Sequence, residues 1–293
     1  MDDQEHPPQA EEAMESAGEA EEEAEDDVPQ KRAAKAPPAA EDRLAQEIAN
    51  LWLAAPGKQV SSAVIWLHHQ GESEAMQQML FRNFQLPEEV GRVRWLWPRA
   101  PLQPSSIRGH SPTLQWFDIK EYPICRMVRG IPDRPRKGED GGDVSAAVKR
   151  TETMVRALEV EGIPRSRILL GGFGQGAALV LRTVLQSKEP LAGGVVCSGW
   201  VAGSTDVPDD ISEGGRSTAL LWCHGARDDV VEPRLAAEQA KALKEAAEVN
   251  LRFVLFPEMQ FELASQALSE IQRFIAERLL LAAGPADGGL EPG

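Results

Sequence analysis

Six short apolar runs, separated by helical patterns, are the feature that most constrains the fold of this 293-residue chain. Most of the runs are continuous rather than alternating, as in strands that are buried on both faces of a parallel sheet. Strands that alternate with helices indicate βαβ crossovers, in which helices cover both faces of the sheet. The predicted strands are Ser62–Leu67, Arg92–Trp97, Arg167–Leu170, Gly194–Ser198, Thr218–Cys223 and Asn250–Phe256.

Helical patterns lie between and after these strands, and one precedes them. The fourth pattern opens with Pro233, a residue that the first turn of a helix tolerates. The fold class is therefore α/β, with a mostly parallel central sheet and helices on both faces. The predicted helices are Glu41–Leu53, Val144–Glu161, Ala177–Gln186, Pro233–Ala247 and Leu263–Leu281, and the Gly-rich loop Gly130–Asp143 is expected to be exposed and mobile.

Charge divides the chain into an acidic arm and a nearly neutral body. Residues 1–27 contain thirteen Asp or Glu and no Lys or Arg, so they account for most of the formal net charge of −15. Such a segment repels itself and has little apolar surface to bury, which predicts disorder over residues 1–40. The folded domain is expected at residues 41–282, with a flexible tail at 283–293. No clustered basic surface is evident, which argues against nucleic-acid binding.

The cysteine content and the lack of targeting or membrane-spanning segments indicate the cellular compartment in which the protein is expected. The three cysteines are an odd number and widely spaced, which is typical of buried free thiols in a reducing compartment. No apolar run reaches the roughly 18 residues of a membrane span, and the acidic N-terminus is unlike a secretory signal. We therefore expect a cytoplasmic protein. No compact spacing of His, Cys or carboxylates predicts a metal site, and we expect no cofactor.

A Gly-rich turn between a strand and a helix, at residues 168–182, is the most informative segment for function. A phosphate-binding P-loop would need Lys and Ser or Thr where Ala177 and Ala178 stand. A dinucleotide fingerprint matches in form, but the next strand ends at Cys197 and Ser198 without the acidic residue that would bind ribose. A third kind of site that uses such a turn is the nucleophile elbow, whose motif is G-x-S-x-G. In this chain the turn matches that motif, except that Gly174 stands at the serine position.

Five segments of the chain form an ordered series of motifs. They are Leu67–Gly71 for L-H-G-x-G, Pro98–Pro101 for P-x-A-P, Trp116–Asp118 for W-F-D, Gly162–Gly176 for the segment that ends in G-F-S-Q-G, and Cys223–Val231 for C-H-G-x-x-D-x-x-V. Motifs of these types in this order resemble the acyl-protein thioesterase and carboxylesterase family of α/β-hydrolases. The resemblance covers roughly Ser62 to Leu281 and implies an α/β-hydrolase fold that cleaves esters and thioesters with a Ser-His-Asp triad.

The resemblance carries the triad over to three positions, of which one keeps its residue. Asp228 matches the triad acid, whereas Gly174 stands in place of the nucleophile and Phe261 in place of the general base. None of the five histidines follows His224, so the base position has no substitute nearby in the chain. Losing the Ser or the His of such a triad costs on the order of 10⁶ in kcat. Alternatively, Asp228 serves to cap the helix that follows it.

Further positions complete the predicted site. The resemblance implies an oxyanion hole near the backbone N–H groups of Gln70 and Gln175, and in this first loop His69 replaces a family glycine. A family residue that braces loops corresponds to His68. Two functions remain open: a non-catalytic protein that binds an acylated ligand or protein partner, and a weak esterase or thioesterase with a rearranged site. The candidate pocket residues are His68, His69, Trp116 and Trp200, and in a rearranged site one of the two histidines would act as a base for water. The remaining residues are expected to be structural: Cys197 in the core, Ser198 as a loop hydroxyl bonded to backbone, and Ser265 on the last helix.

Overall fold

The computed structural model describes residues 60–125, 141–203 and 211–282, without the side chains of 141–143. The expectations for residues 1–40, the helix Glu41–Leu53, most of the loop at 130–143 and the tail at 283–293 lie outside the described residues. The strands of the described part are β1 Ser62–Leu67, β2 Val93–Leu96, β3 Leu102–Ser105, β4 Ser111–Leu114, β5 Ile168–Phe173, β6 Gly193–Cys197, β7 Leu220–Gly225 and β8 Leu251–Phe256. The helices there are α1 Glu74–Phe81, α2 Gly141–Val160, α3 Gln175–Gln186, α4 Glu213–Ser217, α5 Pro233–Glu245 and α6 Ser265–Leu281.

The central sheet has six strands in the order β2-β1-β5-β6-β7-β8, and each neighbouring pair is parallel. The prediction of a mostly parallel sheet is therefore confirmed. Five of its strands begin or end within a few residues of the predicted bounds, and β1 has the predicted bounds. The strand β5 is longer than predicted, because Gly171, Gly172 and Phe173 continue the pairing with β6.

Two apolar clusters cover the two faces of this sheet, because successive strand residues point to opposite sides. Along β1, Ile65 belongs to one cluster and Trp66 to the other. The first cluster packs under α2, α3 and α5, and the second packs under α1 and α6. Both clusters contain fully buried strand residues, which explains why the strands read as continuous apolar runs.

The structure also contains elements that the sequence patterns did not indicate. The helix α1 begins at Glu74 and buries only Gln77 and Phe81, so its apolar periodicity is too weak to predict a helix. The antiparallel pair β3–β4 contains Pro104 and Pro112, residues that disfavour strands because they donate no ladder hydrogen bond. Both elements follow the carboxyl end of a central strand and flank the loop after β1.

Within the ranges given above, no helix combines the length and the apolar character that crossing a bilayer would require.

The first turn of α3 lies directly against the end of β1, and this contact requires a glycine. A Cβ placed on Gly176 would overlap the carbonyl oxygen of Leu67 and lie 2.5 Å from its carbonyl carbon. The same Cβ would lie 2.7 Å from the carbonyl oxygen of His68. These are backbone atoms of a central strand and its loop, so they cannot move aside without displacing the sheet.

We predict that Gly176→Ala destabilises the fold by about 3 kcal/mol or more, because the added methyl group overpacks two backbone segments that cannot move aside. A matched control is Gly109→Ala, which also adds one methyl group but has no heavy atom within 4 Å of the new Cβ. This control should cost only the strain of its positive φ, about 1–2 kcal/mol. Urea denaturation measures both changes. Equal losses in the two variants would contradict the packing argument.

Candidate active site

The predicted elbow forms at Gly174, between the end of β5 and the start of α3. Its φ of +55° and ψ of −115° lie outside the regions that residues with a side chain readily adopt. The N–H of Gly174 donates to the carbonyl oxygen of Cys197, 2.9 Å away, which ties the elbow to the end of β6. The sharp turn of a nucleophile elbow is thus present without a side chain on it.

Two rings fill the space into which a side chain on Gly174 would project. A Cβ placed there would overlap Nδ1 of His69 and lie 2.9 Å from Cγ of the same ring. It would also lie 2.8 Å from Cζ of Phe261. The structure therefore brings together the residues at the nucleophile and base positions, as the family order requires, and adds the histidine of the first loop between them.

The imidazole of His69 is a hydrogen-bond acceptor in this arrangement. The backbone N–H of Gln175 donates to its Nδ1 over 3.2 Å, which requires an unprotonated Nδ1. Burial lowers the pKa of His69 to about 3, with smaller contributions from the charges of His68 and Arg108. The ring is therefore neutral near pH 7, in agreement with its role as an acceptor.

Aromatic rings enclose this imidazole. Phe261 meets it edge to face with ring centroids 4.8 Å apart, and Phe173 lies 6.0 Å from it. The two phenyl rings pack on each other at 4.6 Å, and the ring of Tyr122 lies 6.4 Å from the imidazole. Such ring contacts each contribute about 0.5–1.5 kcal/mol beyond their buried area. Phe261, which the motif order predicts at the base position, is thus part of an aromatic cluster with Phe173 and the His69 imidazole.

The preceding residue, His68, uses both ring nitrogens to hold loops together. Its Nδ1–H donates to the carbonyl oxygen of His69 over 2.7 Å, and its Nε2 accepts from the N–H of Ala100 over 3.0 Å. The side chain is 1% exposed, and burial lowers its pKa. Since neither ring nitrogen is free to take a proton from water, His68 cannot serve as a general base in this arrangement.

The side chains of the two predicted oxyanion-hole residues are buried in structural contacts. Gln175 accepts from the N–H of Trp116 over 2.9 Å and donates to the carbonyl oxygen of Phe117 over 2.6 Å. Gln70 donates to Ser105 over 3.0 Å and to Gln115 over a shorter distance. These bonds attach the segment after β4 to the elbow and to the first loop. The sequence patterns did not indicate Gln115, because its partner is 45 residues away.

The retained acid, Asp228, stabilises a turn. Its Oδ1 accepts from the N–H groups of Val230 and Val231 at 3.0 and 2.8 Å. The cap position of α5 is Glu232, so Asp228 caps the turn before that helix and not the helix itself. Its other oxygen, Oδ2, lies 3.4 Å from Nε2 of His224, and both side chains are fully buried. Burial raises the pKa of Asp228 and lowers that of His224.

The other candidates, with the exception of the exposed Ser265, lie in the protein interior. Trp116 and Trp200 are 2% and 3% exposed, and the Trp116 indole N–H donates to the carbonyl oxygen of His68 over 2.8 Å. They are therefore core residues, where sequence reasoning placed them on loops at the substrate-facing edge. Ser198 has a positive φ of 48°, and its buried hydroxyl makes no backbone hydrogen bond among the described residues, contrary to expectation. It lies beside the carboxylate of Asp228 and lowers the pKa of that group, against the larger effect of burial. Cys197 is in the core and Ser265 begins α6.

One carboxylate that sequence reasoning missed supports the first loop. Glu72 accepts from the backbone N–H of His69 over 3.1 Å and from the side-chain amide of Gln77 over 2.6 Å. Burial raises the pKa of this carboxyl group. Its position three residues after His69, within reach of the backbone of this loop, is the sequence feature that could have indicated this role. In the described part of the chain, no three His, Cys, Asp or Glu residues are grouped as metal ligands.

Comparisons with known proteins agree with this geometry. The family model described as phospholipase/carboxylesterase matches residues 49–279. Over 236 residues the chain is 31% identical to a probable carboxylesterase of Oryza sativa subsp. japonica, which covers 80% of this chain and 85% of the rice protein. It is 27% identical over 240 residues to acyl-protein thioesterase 1 of Cryptococcus neoformans, covering 76% and 95% of the two chains. The crystal structure of Arabidopsis thaliana SOBER1 matches with a TM-score of 0.65 and 28% identity, over 74% of this chain and 99% of that chain.

We predict that His69 makes folding stability depend on pH. Its pKa is about 3 in the folded protein and about 6.5 in an unfolded chain, so the unfolded chain binds an extra proton between these values. The free energy of unfolding should therefore fall as the pH falls from about 6.5 towards 3. In His69→Asn this contribution is absent, and urea denaturation at several pH values should show a shallower slope. Equal slopes in the two proteins would refute the assignment.

Proposed function

Because the chain belongs to the phospholipase/carboxylesterase family of α/β-hydrolases, we propose that it is a non-hydrolytic member that binds an acylated ligand or acylated protein partner without cleaving it. The observation that carries the non-hydrolytic part is the pairing of Gly174 with Phe261. The ring tip of Phe261 lies 2.8 Å from where the Cβ of a nucleophile would be. Gly174 therefore has only a hydrogen atom where a serine would carry its side chain. The phenyl ring of Phe261 stands at the position predicted for the general base.

Without both groups, a site of this kind loses most of its hydrolytic rate. A serine triad acts as a unit, so removing the Ser or the His costs about as much as removing all three members, on the order of 10⁶ in kcat. The remaining Asp228 has no imidazole at the base position to orient, and its Oδ1 binds two backbone N–H groups instead.

A hydrolase with a rearranged site is the alternative, and the ring contacts of the two neighbouring histidines argue against it. A general base must have a free nitrogen and a pKa near the working pH. His68 has both nitrogens bonded, and the Nδ1 of His69 accepts from Gln175 while its pKa is about 3. Neither ring has the properties that activation of a water molecule requires.

We predict that the purified full-length chain hydrolyses p-nitrophenyl acetate and a palmitoyl thioester no faster than about 10³–10⁴ over the uncatalysed rate. Asp228→Asn should leave this residual rate unchanged, because the carboxylate has no catalytic partner. Initial-rate assays of both proteins test the proposal. A faster rate that is lost in His69→Asn would replace it with the rearranged hydrolase.

Exposed apolar side chains beside the first loop support the binding part of the proposal. On α1, Met76 and Met79 are 53% and 62% exposed, and Leu80 is 42% exposed. Leu102 on β3 is 66% exposed, and the partner strand β4 is bonded to the first loop through Gly71. Methionine-rich surfaces adapt to apolar partners of varied shape, and an acyl chain is such a partner.

We predict that Met79→Lys weakens binding of a palmitoylated peptide about tenfold or more, because it removes one apolar side chain from the contact surface. The matched control is Val160→Lys, which changes an 89% exposed apolar residue near the end of α2. Calorimetric titration with the palmitoylated peptide and its unacylated form measures the effect. Equal affinity for the two peptides, or equal loss in both variants, would contradict binding at this surface.

The state of the cysteines supports a cytoplasmic location as part of this proposal. Cys125, Cys197 and Cys223 are buried, and no disulfide joins them. Chains in oxidising compartments commonly pair their cysteines in disulfides.

A further inference from the structure

We propose that His69 is an internal occupant of the acyl-oxygen site, which closes this site in addition to the substitutions at Gly174 and Phe261. The inference rests on the proposed function, in that it adds a reason for the lack of hydrolysis. It also concerns a different part of the catalytic machinery. The oxyanion hole stabilises charge on the acyl oxygen, whereas the nucleophile and the base form the new bond.

The first argument is the identity of the bonded donor. In an α/β-hydrolase, the backbone N–H after the nucleophile is one of the donors that bind the acyl oxygen. In this chain that group is the N–H of Gln175, and it donates to Nδ1 of His69 over 3.2 Å. A ring nitrogen with a free lone pair thus takes the place of a substrate carbonyl oxygen, and both are hydrogen-bond acceptors.

The second argument is that the loop of His69 is fixed at several points. Its N–H is bonded to Glu72 over 3.1 Å, and its carbonyl oxygen is bonded to the ring of His68 over 2.7 Å. On the ring itself, Phe261 packs at 4.8 Å. A ligand would have to break the bond to Gln175 and separate these rings before its own oxygen reached the donor.

The third argument is that restoring a side chain at position 174 and a smaller ring at position 261 would not by itself make room beside His69. A Cβ on Gly174 would overlap Nδ1 of His69 and lie 2.9 Å from Cγ, which is the base of the ring and cannot bend away like the end of a flexible chain. Phe261 is different, because only its ring tip is near the Cβ position. A change of Phe261 to a smaller ring would relieve that contact, whereas the contact with His69 would remain.

The experiment restores the family residues in two steps. The first variant is Gly174→Ser with Phe261→His, and the second adds His69→Gly, the residue of the family motif at this position. Hydrolysis of p-nitrophenyl acetate is measured for both and for the unchanged chain. In the reaction, the introduced serine oxygen attacks the acetyl carbon, the introduced imidazole takes its proton, and p-nitrophenolate leaves. Water then cleaves the acetyl-enzyme and releases acetate.

We expect the triple variant to exceed the double variant by about 10²–10³ in kcat, the value of an oxyanion-hole donor. A folded triple variant that is no faster than the double variant would overturn the inference about His69. That result does not bear on the unchanged chain. Rapid hydrolysis by the unchanged chain would instead refute the proposed function, so the two failures are distinguishable.

A measurement that needs no restored triad keeps the test valid if the multiple variants fold poorly. In the unchanged chain, the Gln175 amide is protected by His69, and it should exchange with deuterium at least about tenfold faster in His69→Gly. The control is the amide of Ala178, whose bond to the carbonyl oxygen of Gly174 at 3.0 Å does not involve the imidazole. Its exchange should be unchanged. Equal exchange of Gln175 in both proteins would overturn the inference.

Discussion

The close approach between the first turn of α3 and the end of β1 is the constraint on which the rest of the site depends. Because Gly176 has no side chain, the helix lies against the carbonyl oxygens of Leu67 and His68, and this contact fixes the distance between the elbow and the first loop. The contact brings the Gln175 N–H within hydrogen-bond reach of the His69 ring. A looser approach would leave both groups buried without a partner, which costs about 1–3 kcal/mol for each group.

An elbow without a serine side chain leaves space above Gly174 and a backbone donor, the Gln175 N–H, that needs an acceptor. In a protein interior, an unfilled cavity and an unpaired donor both reduce stability. This chain removes both costs with two residues. The imidazole of His69 accepts from the donor, and the ring of Phe261 fills the remaining space and packs on Phe173. The neutral state of His69 follows from the same environment, since burial disfavours the charged ring. The three departures from the family motifs therefore form one packing unit.

The polar side chains at the carboxyl edge of the sheet hold loops together in this structure. His68 joins the first loop to the segment after β2, and the side chain of Gln175 joins the elbow to the segment after β4. Asp228 remains as the acceptor of a turn. Retention of such bonds preserves the shape of the carboxyl edge of the sheet, where ligands of α/β proteins bind. A protein that uses this edge for binding would need that shape even without chemistry.

The sequence alone determined the α/β class and the bounds of most central strands, because these follow from local patterns. From motif order it also predicts that a serine and a histidine are absent at the triad positions. The comparisons confirm the family and with it the α/β-hydrolase fold. Only the tertiary structure decided what occupies the space above Gly174, because His69 and Phe261 are far from it in the chain. It also placed Trp116 and Trp200 in the core, although they follow no strand pattern. Apolar periodicity reports which face of an element is buried, whereas a site is a set of contacts between elements, and those distances are fixed only when the sheet and its helices pack together.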